Sequence, residues 1–153
     1  MAMFHSWMIT AAMLAALLAP AQAAPRQGAI ADSIYIQAER GDPRAQSKLG
    51  FMYQVGRGVP QNYRLAAAWQ YRAACQGEPT AQYLLGLLYN KGHGVPVDYV
   101  LAYMWLNLAA AAAPPAARGA SAKLRDAVAT KLSPETLAKA QYLAATWTPR
   151  PER

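Results

Sequence analysis

The sequence repeats itself every 36 residues. Residues 45–74 read AQSKLGFMYQVGRGVPQNYRLAAAWQYRAA, and residues 81–110 read AQYLLGLLYNKGHGVPVDYVLAYMWLNLAA. Ala45, Gly50, Tyr53, Gly56, Gly58, Val59, Pro60, Tyr63, Ala66, Trp69 and Ala73 return as Ala81, Gly86, Tyr89, Gly92, Gly94, Val95, Pro96, Tyr99, Ala102, Trp105 and Ala109. A fixed period of this length marks stacked supersecondary units, each unable to bury its apolar face without a neighbour. Such a stack presents an extended surface, and binding is the function it most directly predicts.

Each period divides into two helices. Gly41 and Gly77 follow helical patterns as a glycine just past a helix end does, and Pro43 and Pro79 suit the first turn of the next helix. Asp42 and Glu78 place a carboxylate at that helix's positive end, Asp42 being the better cap by type. The first helices are expected over 43–54 and 79–91, with Ala45, Leu49 and Tyr53, and then Ala81, Leu85 and Tyr89, forming apolar stripes. Gly50 and Gly86 fall inside these helices, where glycine costs about 1 kcal/mol against alanine. A cost paid twice predicts close approach of a neighbouring helix. Gly56 and Gly92 suit a left-handed helix end, and Gly58 and Gly94 add freedom to the turn. These glycines do not form a phosphate cradle, which follows a strand and opens a helix with Lys and Ser or Thr. The second helices are expected over 62–76 and 98–113, capped by Asn62 and Asp98. Trp69 and Trp105 fill the space between layers. Gly50, Tyr53, Gly56, Gly58, Trp69, Gly86, Tyr89, Gly92, Gly94 and Trp105 are therefore scaffold positions.

The flanks differ. An apolar run from Met8 to Leu18 followed by Ala21-Gln22-Ala23 reads as a secretory signal peptide over 1–23, which predicts a periplasmic or secreted protein with no stable membrane span after cleavage. Residues 24–41 hold an N-terminal capping helix, 42–76 the first repeat and 77–113 the second. Residues 114–148 form a divergent capping helix pair, with Ser133 capping the last helix and Pro134 opening it. Residues 149–153 are expected to be a disordered tail. The whole is an all-α solenoid of antiparallel helix pairs, about seven helices long.

No reaction chemistry converges in this pattern. Cys75 is the single cysteine, so it forms no internal disulfide or structural zinc site. His5 lies in the leader, and His93 sits between two turn glycines. Ser47 and Lys48 are neighbours on a helix and do not face each other. Ser121-Ala122-Lys123 is not the Ser-x-x-Lys signature of β-lactam enzymes. No catalytic residue, metal or cofactor is assigned. The net charge of +7 suits an acidic protein partner. Basic runs interleaved with aromatics are absent, which argues against nucleic acid. Arg118, Lys123, Arg125 and Lys131 read as a solvated face able to meet an acidic loop or anionic lipid. The first-helix positions that differ between repeats are the candidate partner surface: Arg44, Ser47, Lys48, Phe51 and Met52, with Thr80, Tyr83, Leu84, Leu87 and Lys91. Arg57 and His93 at the turn tips are lesser candidates, and the Ala-rich helices offer a route to a homodimer.

Ala45, Leu49-Gly50, Tyr53, Gly56, Gly58-Val59, Ala66, Trp69 and Ala73-Ala74, repeated from Ala81, resemble the Sel-one-like repeat family, a branch of the tetratricopeptide-like α/α solenoids. Leu132-Ser133-Pro134-Glu135, with Ala140-Gln141 and Trp147, is similar to the closing helix of bacterial members. The resemblance implies a short right-handed α/α superhelix and a role as adaptor or scaffold in envelope signalling, secretion or host contact. One secreted, cysteine-rich branch binds or hydrolyses β-lactams and carries a disulfide within each repeat. Here Ala111 stands where a partner for Cys75 would be needed. Attachment to cell wall or anionic lipid as an envelope structural protein is the other alternative.

Overall fold

The computed structural model describes residues 27–152; the expected leader lies outside them. Seven helices follow one another: α1 (Gln27–Glu39), α2 (Pro43–Val55), α3 (Tyr63–Cys75), α4 (Pro79–Lys91), α5 (Tyr99–Ala112), α6 (Pro115–Ala129) and α7 (Pro134–Thr146). No strand occurs among the described residues, and none of these helices is long and apolar enough to cross a membrane.

Local chemistry sets the helix ends. Asn62 accepts from the Arg64 and Leu65 amides, and Asp98 from that of Leu101. Asp42 accepts from the Ala45 amide at 2.7 Å, and Glu78 from that of Ala81 at 2.6 Å. The longer acid thus caps as fully as the shorter one, because both residues hold the same extended backbone. Gly56 and Gly92 close α2 and α4 in the left-handed conformation, each at φ 71°.

Helices α1 to α5 stack in sequence, each against the next. The close approach expected at the mid-helix glycines is present. A Cβ on Gly50 would lie 3.1 Å from the Ala66 carbonyl oxygen, and one on Gly86 at 3.1 Å from that of Ala102. Ala66 and Ala102 are themselves fully buried. Leu49 and Leu85 fill equivalent core positions, beside Trp69 and Trp105. The repeat extends further back than its glycines show. Tyr35 meets Trp69 edge-on at 6.0 Å, and Tyr71 meets Trp105 edge-on at 6.3 Å. Gln46 and Gln82 are buried, and each side-chain amide donates to the end of the helix before it, at Ala38 O (3.0 Å) and Ala74 O (3.3 Å). These glutamines tie one repeat to the next through bonds that burial makes obligatory.

Two expectations need correction. The expected capping helices do not pack as a pair: α6 and α7 each pack chiefly on α5. Their joint at Ser133-Pro134 lacks the left-handed glycines that fold the earlier pairs back on themselves. Residues 149–152 are not a free tail either. The Arg150 amide donates to Cys75 O at 2.7 Å, and the Glu152 carboxylate accepts from Arg72 and Gln46. Polar groups at both ends of the first repeat supply the partners that hold the segment down.

Candidate functional site

A groove of about 440 Å³ lies between α1 and α2, lined by Ile30, Ile34, Lys48, Phe51, Met52, Arg57 and Gly58. It adjoins a second concavity that shares Ile30, Ile34 and Lys48 and adds Arg44 and Asp42. Ile34 is buried and Met52 half-buried, so they form the floor. Ile30 and Phe51 stand 45% exposed, large apolar groups left in water beside that floor. Arg44 and Lys48 are four residues apart and so share a face of α2. Arg57 joins them from the turn after Gly56. None of the three cations forms an ion pair among the described residues. Asp42 is the carboxylate at this end, and it is engaged in capping α2. The site is an apolar trough with a cationic rim.

Four of the expected partner residues, Arg44, Lys48, Phe51 and Met52, come together here. Ser47 does not: it is buried on the face of α2 that meets α3, where its carbonyl accepts from the Gln70 side-chain amide at 3.0 Å. The second-repeat set lies on α4 and lines no part of this groove. Thr80 and Lys91 are exposed, while Leu84 and Leu87 are half-buried. Tyr83 turns inward against the cluster built by Tyr103, Leu106 and Val128. The proposed surface is therefore divided, and only its first-repeat half is concave. Ile30 and Ile34 complete that half and were missed, because no Gly-x-Gly turn of the kind that marks the repeats precedes α1 in the sequence.

Most of the other candidates are tied down. His93 stacks on Tyr63 with ring centroids 4.6 Å apart. Of the expected basic face, Arg125 pairs with Asp126 at 2.8 Å and donates to Asn107, Lys131 sits 4.6 Å over the Tyr99 ring and donates to Asn90, and Arg118 donates to Ala113 O. Lys123, the fourth member of that face, is exposed. Cys75 is half-buried in a cavity of about 370 Å³ with Tyr71, Tyr89, Trp105 and Trp147, and burial pushes its thiol up from the ordinary range. A raised thiol is a weak nucleophile near neutrality. Among the described residues no three His, Cys, Asp or Glu side chains are grouped to hold a metal.

The Sel1 repeat family model matches residues 43–78 and 79–113, coincident with the two helix pairs α2–α3 and α4–α5. Among solved structures, a Sel1 repeat protein from Oxalobacter formigenes is 46% identical over 59% of this chain and 68% of that one, with a TM-score of 0.54. A protective antigen present in uropathogenic Escherichia coli strains, displaying an SLR fold, gives a TM-score of 0.72 at 30% identity. The alignment covers 78% of this chain and 25% of the antigen, so this chain spans about a quarter of the antigen's length. No curated protein matches the sequence.

Proposed function

We propose that this chain, which belongs to the Sel1 repeat family, is a non-catalytic protein-interaction scaffold of the bacterial periplasm or secreted fraction. Its α1–α2 groove receives an acidic, amphipathic segment of a partner protein. The observation that carries this reading is the exposure of Ile30 and Phe51 between Arg44, Lys48 and Arg57. Apolar anchors give such a contact its affinity, and a rim of one charge gives it direction and rate. The cellular location rests on the Met8–Ala23 pattern. The β-lactam alternative has less support: Cys75 is a free, half-buried thiol and provides no cross-link within its repeat.

A fluorescent amphipathic peptide with Leu on one face and Glu on its flanks is a direct probe. It should bind the full chain, and Lys48→Glu with Arg57→Glu should weaken it about tenfold at low salt, with a smaller loss at high salt. Phe51→Glu should weaken it at all salt concentrations, since it removes the anchor. All three side chains are exposed or at the groove mouth, so the circular dichroism spectrum should not change. Equal binding by wild type and both variants would rule the groove out.

A further inference from the structure

Residues 147–152 run back across the turns that join one repeat to the next. Pro149 lies over Gly77, 3.6 Å from where a side chain there would begin, and Glu152 lies over Gly41 at 3.4 Å. Gly41 and Gly77 are equivalent turns one repeat apart. Pro149 and Glu152 are three residues apart, so three residues of the segment cover the step from one turn to the next along the solenoid edge.

The contacts are those of peptide recognition. Two backbone amides are held, Arg150 by Cys75 O at 2.7 Å and Glu152 by Gln76 Oε1 at 3.3 Å. The Glu152 carboxylate accepts from Arg72 Nε at 2.9 Å, Arg72 Nη2 at 2.8 Å and Gln46 Nε2 at 2.8 Å. Neighbours hold the fork in place, and Arg72 Nη1 also lies 3.8 Å from the Glu39 carboxylate. The Arg72 guanidinium lies 4.4 Å over the Trp69 ring, and Gln76 Nε2 donates to Gln46 Oε1 at 2.8 Å, aiming the Gln46 amide nitrogen outward. The second repeat has no such fork: Leu108 and Ala112 stand at the positions of Arg72 and Gln76. The scaffold does not require it, since Gln82 makes its link to Ala74 O without it.

We propose that this edge is a second peptide-binding site, separate from the α1–α2 groove, and that residues 147–152 are its resident competitor. It takes an extended partner segment with an apolar residue over Gly77 and a carboxylate three residues later, in the Arg72–Gln46 fork. The resident segment is built to exchange. It has no regular structure after Trp147, and Thr148 through Glu152 are exposed. The carboxylate grip is charge-assisted and bidentate, which favours an acidic side chain over an amide at this position. Arg72 holds the Glu152 carboxyl below the usual carboxylate range. The grip is thus full at neutral pH and is lost as acidification carries Glu152 through that lowered value.

The test uses the full chain and a labelled peptide of sequence TWTPRPE. Glu152→Ala frees the fork, and this variant should bind the probe about tenfold more tightly than wild type, whose own segment competes at high effective concentration. Adding Arg72→Met, or replacing the probe's Glu by Gln, should remove the gain. Lys48→Glu with Arg57→Glu should leave it intact, which separates this site from the groove. A folded Glu152→Ala chain that binds no better than wild type, or binding indifferent to Arg72, would overturn the proposal and leave the segment as a fixed clasp. Wild-type protein supplies an independent reading. Excess unlabelled peptide should shift the Arg150 amide and Trp147 indole NMR signals, and no shift at saturation would also overturn it.

Discussion

Trp105→Ala is expected to lower stability by about 3–5 kcal/mol, the cost of truncating a large buried aromatic. Trp105 is 3% exposed and lies in a core cluster where both repeats and the last helix meet. Ala73 and Ala74 reach it from α3, Leu85 from α4 and Ala144 from α7. Tyr71 and Trp147 meet its ring edge-on, with centroids at 6.3 and 6.0 Å. Such pairs add about 0.5–1.5 kcal/mol beyond burial. The alanines of α3 and α7 cannot lean in to fill the space, so the cavity persists and its cost is near the upper end. Urea denaturation followed by circular dichroism measures the loss, and Trp105→Phe should recover part of it. A loss below about 1 kcal/mol, the range of ordinary surface changes, would show that the layers are held together elsewhere.

Gly94→Ala should be nearly as damaging for a different reason. Gly94 has φ 75°, where an L side chain costs about 1–2 kcal/mol. A Cβ there would also overlap the Tyr63 carbonyl and come within 2.7 Å of the Arg64 nitrogen. Both neighbours are backbone at the start of α3, fixed by the Asn62 cap, and neither can rotate away. The turn of the second repeat sits directly on the helix of the first, so the substitution must part the repeats or unwind α3. The expected cost is about 3 kcal/mol or more. In a chain of this size that lowers the melting temperature by about 8 °C or more. Gly119→Ala is the matched control. Gly119 lies within α6 with open space where its Cβ would be, so alanine should stabilise by about 0.5–1 kcal/mol. A Gly94→Ala midpoint equal to wild type would contradict the packing of that turn.

The sequence made visible what is fixed by local backbone geometry. Left-handed glycines, N-caps and the mid-helix Gly50 and Gly86 impose constraints that recur with the period, so two copies reveal them. Position 47 shows the limit of that signal. Ser47 and its counterpart Tyr83 differ, and difference reads as exposure, yet both turn inward. Ser47 meets Gln70 and Tyr83 meets the C-terminal cluster. Neighbours that change from repeat to repeat permit variation inside as well as outside. The groove was half legible: Arg44, Lys48 and Phe51 lie on a recognisable repeat, whereas Ile30 and Ile34 lie on a helix recognisable as a repeat member only through Tyr35 and Ala38. The carboxylate fork was not legible at all. It joins Gln46 to Glu152 across 106 residues, and Pro-Arg-Pro-Glu taken alone has only the composition of a loop.

Site-specific photocrosslinking in native cells tests whether the α1–α2 groove holds an acidic partner segment. A photoreactive residue in place of Phe51 should yield one dominant crosslinked protein. The crosslinked peptide should be rich in Asp and Glu with apolar residues at helical spacing. The same product should be absent from a probe at Ala127, exposed on α6, and should vanish when Lys48 and Arg57 are both changed to Glu. Identical products from both positions, or a Phe51 product that survives the charge reversal, would contradict the account.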